Sequence, residues 1–206
     1  MNNDGAVLAA LPLALLQSTR SHDRPGEVLE DEDLSVSLPR RLGLSGVIES
    51  QIRQYEAAAR SGKRVSAEEF HNLLKLVLRR PDAEPILRQA GARVAQRQFE
   101  RASPTVLKML RILPRAATYR AIRRAATRLL RNISGNPNVS VTGRPLHARM
   151  QSPQIAAMEP AGTACALYAA AFEEIASLYL GRKANVAQTN CATNGGGYCE
   201  WRLEAN

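Results

Sequence analysis

The feature that most constrains the fold is a change of hydrophobic period at residues 134–138, SGNPN. Upstream of it, apolar residues recur every three or four positions. From Leu44 onward, Ile48, Ile52, Tyr55 and Ala59 fall at helical spacing, and Gly62 supplies a stop. Ser66 with Glu69 three residues later reads as a capping box, with Val65 and Phe70 as its hydrophobic staple. Phe70, Leu73, Leu74, Val77 and Leu78 then form one apolar face, ended by Pro81. Ser103-Pro104 predicts another helix start, and Pro114 breaks that helix. A further helix runs through Tyr119, Ile122, Ala126, Leu129 and Ile133, with arginines on its outer faces.

Downstream of SGNPN the residues alternate. VSVTG (139–143) has the pattern of a short strand, and PLHARMQ (145–151) suits a second. Residues 161–180 predict a long helix stopped by Gly181. KANVAQTNC and CEWRLE are two extended segments joined by a glycine loop, most simply a hairpin. Helices first, then strands around one helix, predict an α+β fold: a helical N-terminal half, then a small antiparallel sheet packed against a long helix. The chain has 206 residues, enough for one domain with a sizeable core. Residues 41–206 are assigned to that domain. Residues 1–40 are assigned to an N-terminal tail and linker, partly disordered, because 18–40 is polar and acidic and holds Pro25, Gly26 and Pro39.

Two stretches bear on location and partners. AVLAALPLALL (6–16) imitates the apolar part of a signal peptide, but Asn2, Asn3 and Asp4 precede it in place of a basic region. No apolar run is long enough to span a bilayer. The expectation is a cytoplasmic protein whose thiols sit in a reducing compartment. The net charge is +9, and residues 79–131 carry 14 Lys or Arg against the three acids Asp82, Glu84 and Glu100. Such a segment suits an anionic small molecule, a membrane surface or nucleic acid. It also suits a solvated helix face whose long basic stems cover apolar groups. Without a helix-turn-helix signature, and with few aromatics interleaved, nucleic acid is the disfavoured partner. A membrane-surface contact and a homodimer stay open.

The chemistry-bearing residues are three cysteines, Cys165, Cys191 and Cys199. Cys165 falls on the helical face that carries Tyr168, Ala169, Phe172, Ile175 and Tyr179, so it should point inward. Cys199, Trp201 and Leu203 share one strand face, and Cys191 closes the opposite strand. Each cysteine taken alone is a small buried hydrophobe. If the three converge, buried thiolates imply a cation, most plausibly zinc, which takes four ligands from Cys, His and carboxylate. No CxxC pair is present, so spacing alone leaves both readings open.

The run CALYAAAFEEIASLYL…VAQTNCATNGGGYCEWRLE resembles the C-terminal part of the 4-vinyl reductase domain family, nearest to the group named bacteriochlorophyll 4-vinyl reductase. The matching residues are Cys165, Tyr168, Ala169, Phe172, Glu173, Cys191, Gly195 to Gly197, Cys199 and Trp201. A weaker likeness reaches upstream to about residue 83. The resemblance implies a small-molecule binding domain, related to phenol-responsive sensors and, within the nitric oxide signalling and Golgi transport ligand-binding superfamily, to haem sensors and an acyl-chain-holding tether. It implies zinc held by Cys165, Cys191 and Cys199, with a carboxylate three residues before Cys191. Here that position is Gln188, a poor zinc ligand. His147, Glu173 or water are the candidate replacements.

The functional expectation is a binding module for a hydrophobic or tetrapyrrole molecule, acting as carrier or sensor, with Tyr168, Ala169, Phe172 and Trp201 at the ligand. Gly162, Ala164, Ala166, Ala169 and Ala170 would leave room beside the helix; tight packing uses small residues in the same way. Two alternatives stand beside it. One is a tetrapyrrole vinyl reductase of bacteriochlorophyll biosynthesis working with a partner electron donor. No GxGxxG after a strand, flavin signature or four-cysteine cluster motif is present, which favours a binding domain over an autonomous reductase. The other is a regulatory nucleic-acid-binding protein using Arg120, Arg123, Arg124, Arg128 and Arg131.

Overall fold

The computed structural model describes residues 6–23, 46–101, 114–151, 162–194 and 197–204. Strand β1 (Ala6–Leu8) leads into helix α1 (Ala10–His22), followed by α2 (Gly46–Arg60), β2 (Arg64–Ser66), α3 (Ala67–Leu78), α4 (Ala83–Glu100) and α5 (Arg115–Ser134). After the SGNPN segment come β3 (Val139–Thr142), β4 (His147–Gln151), α6 (Cys165–Leu180), β5 (Val186–Asn190) and β6 (Tyr198–Leu203). The change of period therefore marks the change of architecture.

The four C-terminal strands form one antiparallel sheet in the order β3-β4-β6-β5. Strict alternation gives it a buried and an exposed face. Val139, Val141, Ala148, Met150, Cys199, Trp201 and Leu203 are all buried, while Ser140, Thr142, Arg149 and Arg202 face water. Helix α6 lies over the buried face and ends at Gly181, whose φ of +67° is the left-handed stop expected there. Helix α4 packs on the far side of α6, α1 packs on α4, and α2 on α1. The expected α+β architecture is the observed one.

Residues 6–22 correct the assignment of 1–40 to a tail. β1 pairs antiparallel with β2, and α1 is buried from Ala10 through Leu15. A short helix that is apolar on all sides belongs in a core, which is the better physical reading of a run the length of AVLAALPLALL. Fully burying a leucine contributes about 1.5–3 kcal/mol, so Leu11, Leu13 and Leu15 make α1 integral to the domain. One side of α1 joins the main core, and Leu13 with Ile52, Tyr55 and Ala59 makes a second cluster. Of the linker expected over 18–40, residues 18–22 belong to α1 and 24–40 lie outside the described residues, as does the helix start at Ser103-Pro104.

The predicted cap at α3 forms differently in detail. Ser66 Oγ accepts from the Glu68 N–H at 3.2 Å, while the Glu69 carboxylate accepts the Tyr55 hydroxyl and ties α3 to α2. On α5 the expected faces hold: Ile122, Ala126, Leu129 and Ile133 are buried, and Arg120, Arg123, Arg124, Arg128 and Arg131 are exposed. Among the described residues, no helix is long and apolar enough to cross a membrane.

Candidate metal centre and the layer beneath it

Three elements bring the cysteines together. Cys165 opens α6, where its N–H donates to the Gly162 carbonyl at 2.9 Å. Gly162 has φ +76°, and a Cβ there would lie 3.1 Å from Cys191 Sγ, so a side chain at this position would crowd the sulfur. Cys191 follows β5 and leads into a single 3₁₀ turn, Ala192–Asn194. Cys199 sits in β6 opposite Met150, on the inner face. Cys165 Sγ is 3.4 Å from Cys199 Sγ and 3.9 Å from Cys191 Sγ, and all three sulfurs lie within 4.8 Å of one another. All three side chains are buried.

These separations suit a metal. A disulfide needs sulfurs about 2.05 Å apart, and the three thiols are free. Tetrahedral zinc with Zn–S near 2.3 Å places its sulfurs ~3.8 Å apart, close to the 3.4 and 3.9 Å separations from Cys165. The electrostatics point the same way. The Cys165 thiol donates to Cys199, and together with the Ala192 N–H at 3.4 Å this holds Cys199 down to about 6 despite burial. Bonding to Cys199 and burial push Cys165 up. Cys199 is thus favoured as a thiolate, while Cys165 gives up its proton only when a cation compensates the buried charge. The Ala192 amide also supplies the outer hydrogen bond that orients a ligating sulfur. Thr193 Oγ1, 3.0 Å from Cys191 Sγ, does the same for the second.

Neither His147 nor Glu173 completes the set. By register His147 lies opposite Thr142 and Arg202, on the solvent face of the sheet. Glu173 is eight residues along α6 from Cys165, about 12 Å at helical rise, and pairs with Arg88 of α4 at 3.3 Å. Among the described residues, no His, Asp or Glu joins the cysteine cluster. Gln188 lies opposite Trp201 and so on the helix side of the sheet, at its edge; its side chain is exposed, with Nε2 3.4 Å from the Asn190 carbonyl.

The expected ligand residues gather in one layer between α6 and the sheet. Tyr168, Phe172 and Trp201 are buried, and the Tyr168 and Trp201 rings are tilted with centroids 5.9 Å apart. Ala169 is buried beside them. The Trp201 indole N–H is buried and has no hydrogen-bond partner among the described residues. Burial pushes the Tyr168 phenol well above its ordinary range. Sequence reasoning missed three supporting groups: Thr193, the Ala192 amide and Gly162's role against Cys191. A glycine three residues before the helix cysteine was the signal available for the last. It also missed Gly91 on α4, where a Cβ would meet the Leu167 carbonyl oxygen of α6 at 2.2 Å.

Residues 147–205 match the family model of the 4-vinyl reductase domain. The match starts at β4, so the weaker upstream likeness over 83–146 lies outside it. No curated protein and no solved structure matches the chain.

Proposed function

We propose, from the premise that residues 147–205 form a 4-vinyl reductase domain, that this chain is a binding module for a hydrophobic small molecule, tetrapyrrole or other flat ring system, held between α6 and the sheet. The observation that carries the reading is the Trp201 N–H, buried beside Tyr168 without a partner among the described residues. Leaving such a donor unpaired costs about 1–3 kcal/mol. A ligand with one acceptor and an apolar body would meet it and would exploit the aromatic faces around it.

In this reading zinc is structural. Cys165, Cys191 and Cys199 would hold it, and it would fasten the β5–β6 hairpin to the start of α6. Its position at one end of the layer keeps Trp201 and Tyr168 in register while the rest of the interface opens to admit a ligand. The fourth ligand is water or the side chain at position 188.

Trp201 is the only tryptophan, so its emission reports on this layer alone. Titration with protoporphyrin should quench it saturably, and mass spectrometry of protein purified without extraction should find a co-purified apolar molecule. Ala169→Phe, which fills the layer, should abolish quenching while circular dichroism stays unchanged. No saturable change with protoporphyrin, simple phenols or a fatty acid, together with no co-purified molecule, would overturn the reading.

A further inference from the structure

The two basic helices use their charge differently. On α4, Arg88 pairs with Glu173, Arg97 donates to Gln17 at 2.8 Å, and Arg101 donates to the Ala59 carbonyl. These arginines tie helices together. A cleft of about 400 Å³ beside them is lined by Glu56 and Glu100 as well as Arg60, Arg97 and Arg101, so its charge is mixed. On α5, by contrast, the side chains of Arg120 and Arg123 make no ion pair or hydrogen bond among the described residues; the Arg123 carbonyl accepts from Thr127 within the helix at 2.8 Å. Both line a second cleft of about 130 Å³, completed by Tyr119 and by Gly143, Arg144 and Leu146 of the β3–β4 turn. No acid lines it.

The cleft is assembled from two elements. On α5, Arg123 neighbours both Tyr119 (i, i+4) and Arg120 (i, i+3), which places the three at one side of the helix. Arg144 arrives from a turn that requires glycine beside it: Gly143 has φ +82°, and a Cβ there would lie 2.9 Å from the Pro145 carbonyl oxygen. Leu146, buried, forms the floor. Three arginines lining one small cleft concentrate positive charge there, and their repulsion is relieved when an anion joins them. Their planar forks suit tetrahedral oxyanions, and a tyrosine hydroxyl adds a neutral donor. The volume is below the ~300–1,000 Å³ typical of pockets for whole organic ligands, so the cleft fits an anionic group and not a macrocycle.

We infer that this cleft is a phosphate-binding site, with Arg120, Arg123 and Arg144 as the charge-bearing contacts and Tyr119 as a further donor. It shares no residue with the Tyr168–Trp201 layer and stands whether or not that layer binds a ligand. The phosphate belongs either to a soluble phosphomonoester or to a lipid headgroup. A nucleic-acid backbone fits less well, because the arginines gather at one spot and do not track a groove, and among the described residues Tyr119 is the only aromatic lining the cleft.

Calorimetric titration with inorganic phosphate and pyrophosphate, against chloride at equal ionic strength, tests the site. Sedimentation with vesicles of phosphatidylcholine with and without phosphatidate separates the sources. Arg144→Gln, on the turn, should weaken phosphate binding by about tenfold or more, as for other charge-assisted contacts. Arg128→Gln, exposed on the same helix but outside the cleft, should change it by less than about twofold. Retention on phosphatidate vesicles alone, lost in Arg144→Gln, would assign the phosphate to a lipid. Equal loss in both variants would mean diffuse basic attraction and overturn the site. So would binding of a DNA duplex that pyrophosphate does not displace.

Discussion

Helix α6 is held from two sides in two different ways. Toward α4 the contact is close and made of small groups. Gly91 lies against the backbone of Leu167 and Ala171, and the rim is bridged by Arg88 to Glu173 and by Gln96 to Glu174 at 2.9 Å. Toward the sheet the contact is made of large side chains, three thiols and an indole N–H without a partner among the described residues. The first interface has backbone against backbone and no room to rearrange. The second has side chains between its layers, and side chains can move. A helix clamped on one side and adjustable on the other is what a binding module needs, because ligand entry must not dissolve the fold.

The largest effect should come from the sheet side, by removing the metal. Structural zinc contributes roughly 10–16 kcal/mol in small finger peptides, against a total domain stability of about 5–15 kcal/mol. Chelation, or Cys191→Ser, should therefore speed amide exchange throughout β5 and β6, while α4 and the α4-facing turns of α6 stay protected. Hydrogen exchange by mass spectrometry reads both regions at once. Uniform loss of protection would show that the two sides of α6 do not behave separately. Protein purified without chelator that holds no zinc would leave three ordinary buried cysteines.

Second in size is Gly91→Ala. The added methyl would sit 2.2 Å from a carbonyl oxygen of α6, and backbone cannot swing aside as a side chain can. Overpacking usually costs 1–3 kcal/mol, and here about 3 kcal/mol is expected in a urea melt, with weakened cooperativity. A cost below about 1 kcal/mol would mean that the α4 side is adjustable too, and the contrast between the sides would fail.

Third is Trp201→Phe. It removes apolar bulk from the sheet side, but it also removes the unpaired N–H. The two effects oppose one another, so the cost should stay below about 2 kcal/mol, short of the ~3–5 kcal/mol seen for truncating a large aromatic to alanine. Thermal melts at equal protein concentration measure it. A loss well above that would mean the indole N–H already has a partner that stabilises the fold.

The two sides of α6 were not equally legible in the sequence. The sheet side was readable because strand alternation fixes faces: Cys199, Trp201 and Leu203 at period 2 had to point together, and Cys165 with Tyr168 and Phe172 followed from helical period. The α4 side was not, because a glycine inside a helix announces a close approach without naming its partner. Small residues on and just before α6, Gly162 among them, were read as room for a ligand, yet Gly162 serves the packing of Cys191; Ala171, outside that set, serves the helix contact. Helix α1 was misplaced for a related reason. An apolar run with no polar face carries no period, and burial, not amphipathicity, is its only explanation.

The smallest expected effect on stability concerns position 188, and it sharpens what the sheet side holds. Gln188 is exposed on an edge strand, so Gln188→Glu should change the stability of the metal-free protein by less than about 0.5 kcal/mol. Its effect on metal should be larger. By register the side chain starts on the same face of the sheet as Trp201, the face that carries α6 and the three sulfurs. A carboxylate there adds the fourth charge-bearing ligand that three cysteines lack, and zinc accepts carboxylate oxygen where it takes an amide poorly. Competition with a chromogenic chelator should show slower zinc release and a lower dissociation constant in the variant, with unchanged circular dichroism. Identical release from both proteins would place the fourth ligand elsewhere: water, or a group outside the described residues. The cysteine cluster would then keep its geometry but lose position 188 as its gate, and the exposed edge of β5 would be plain surface.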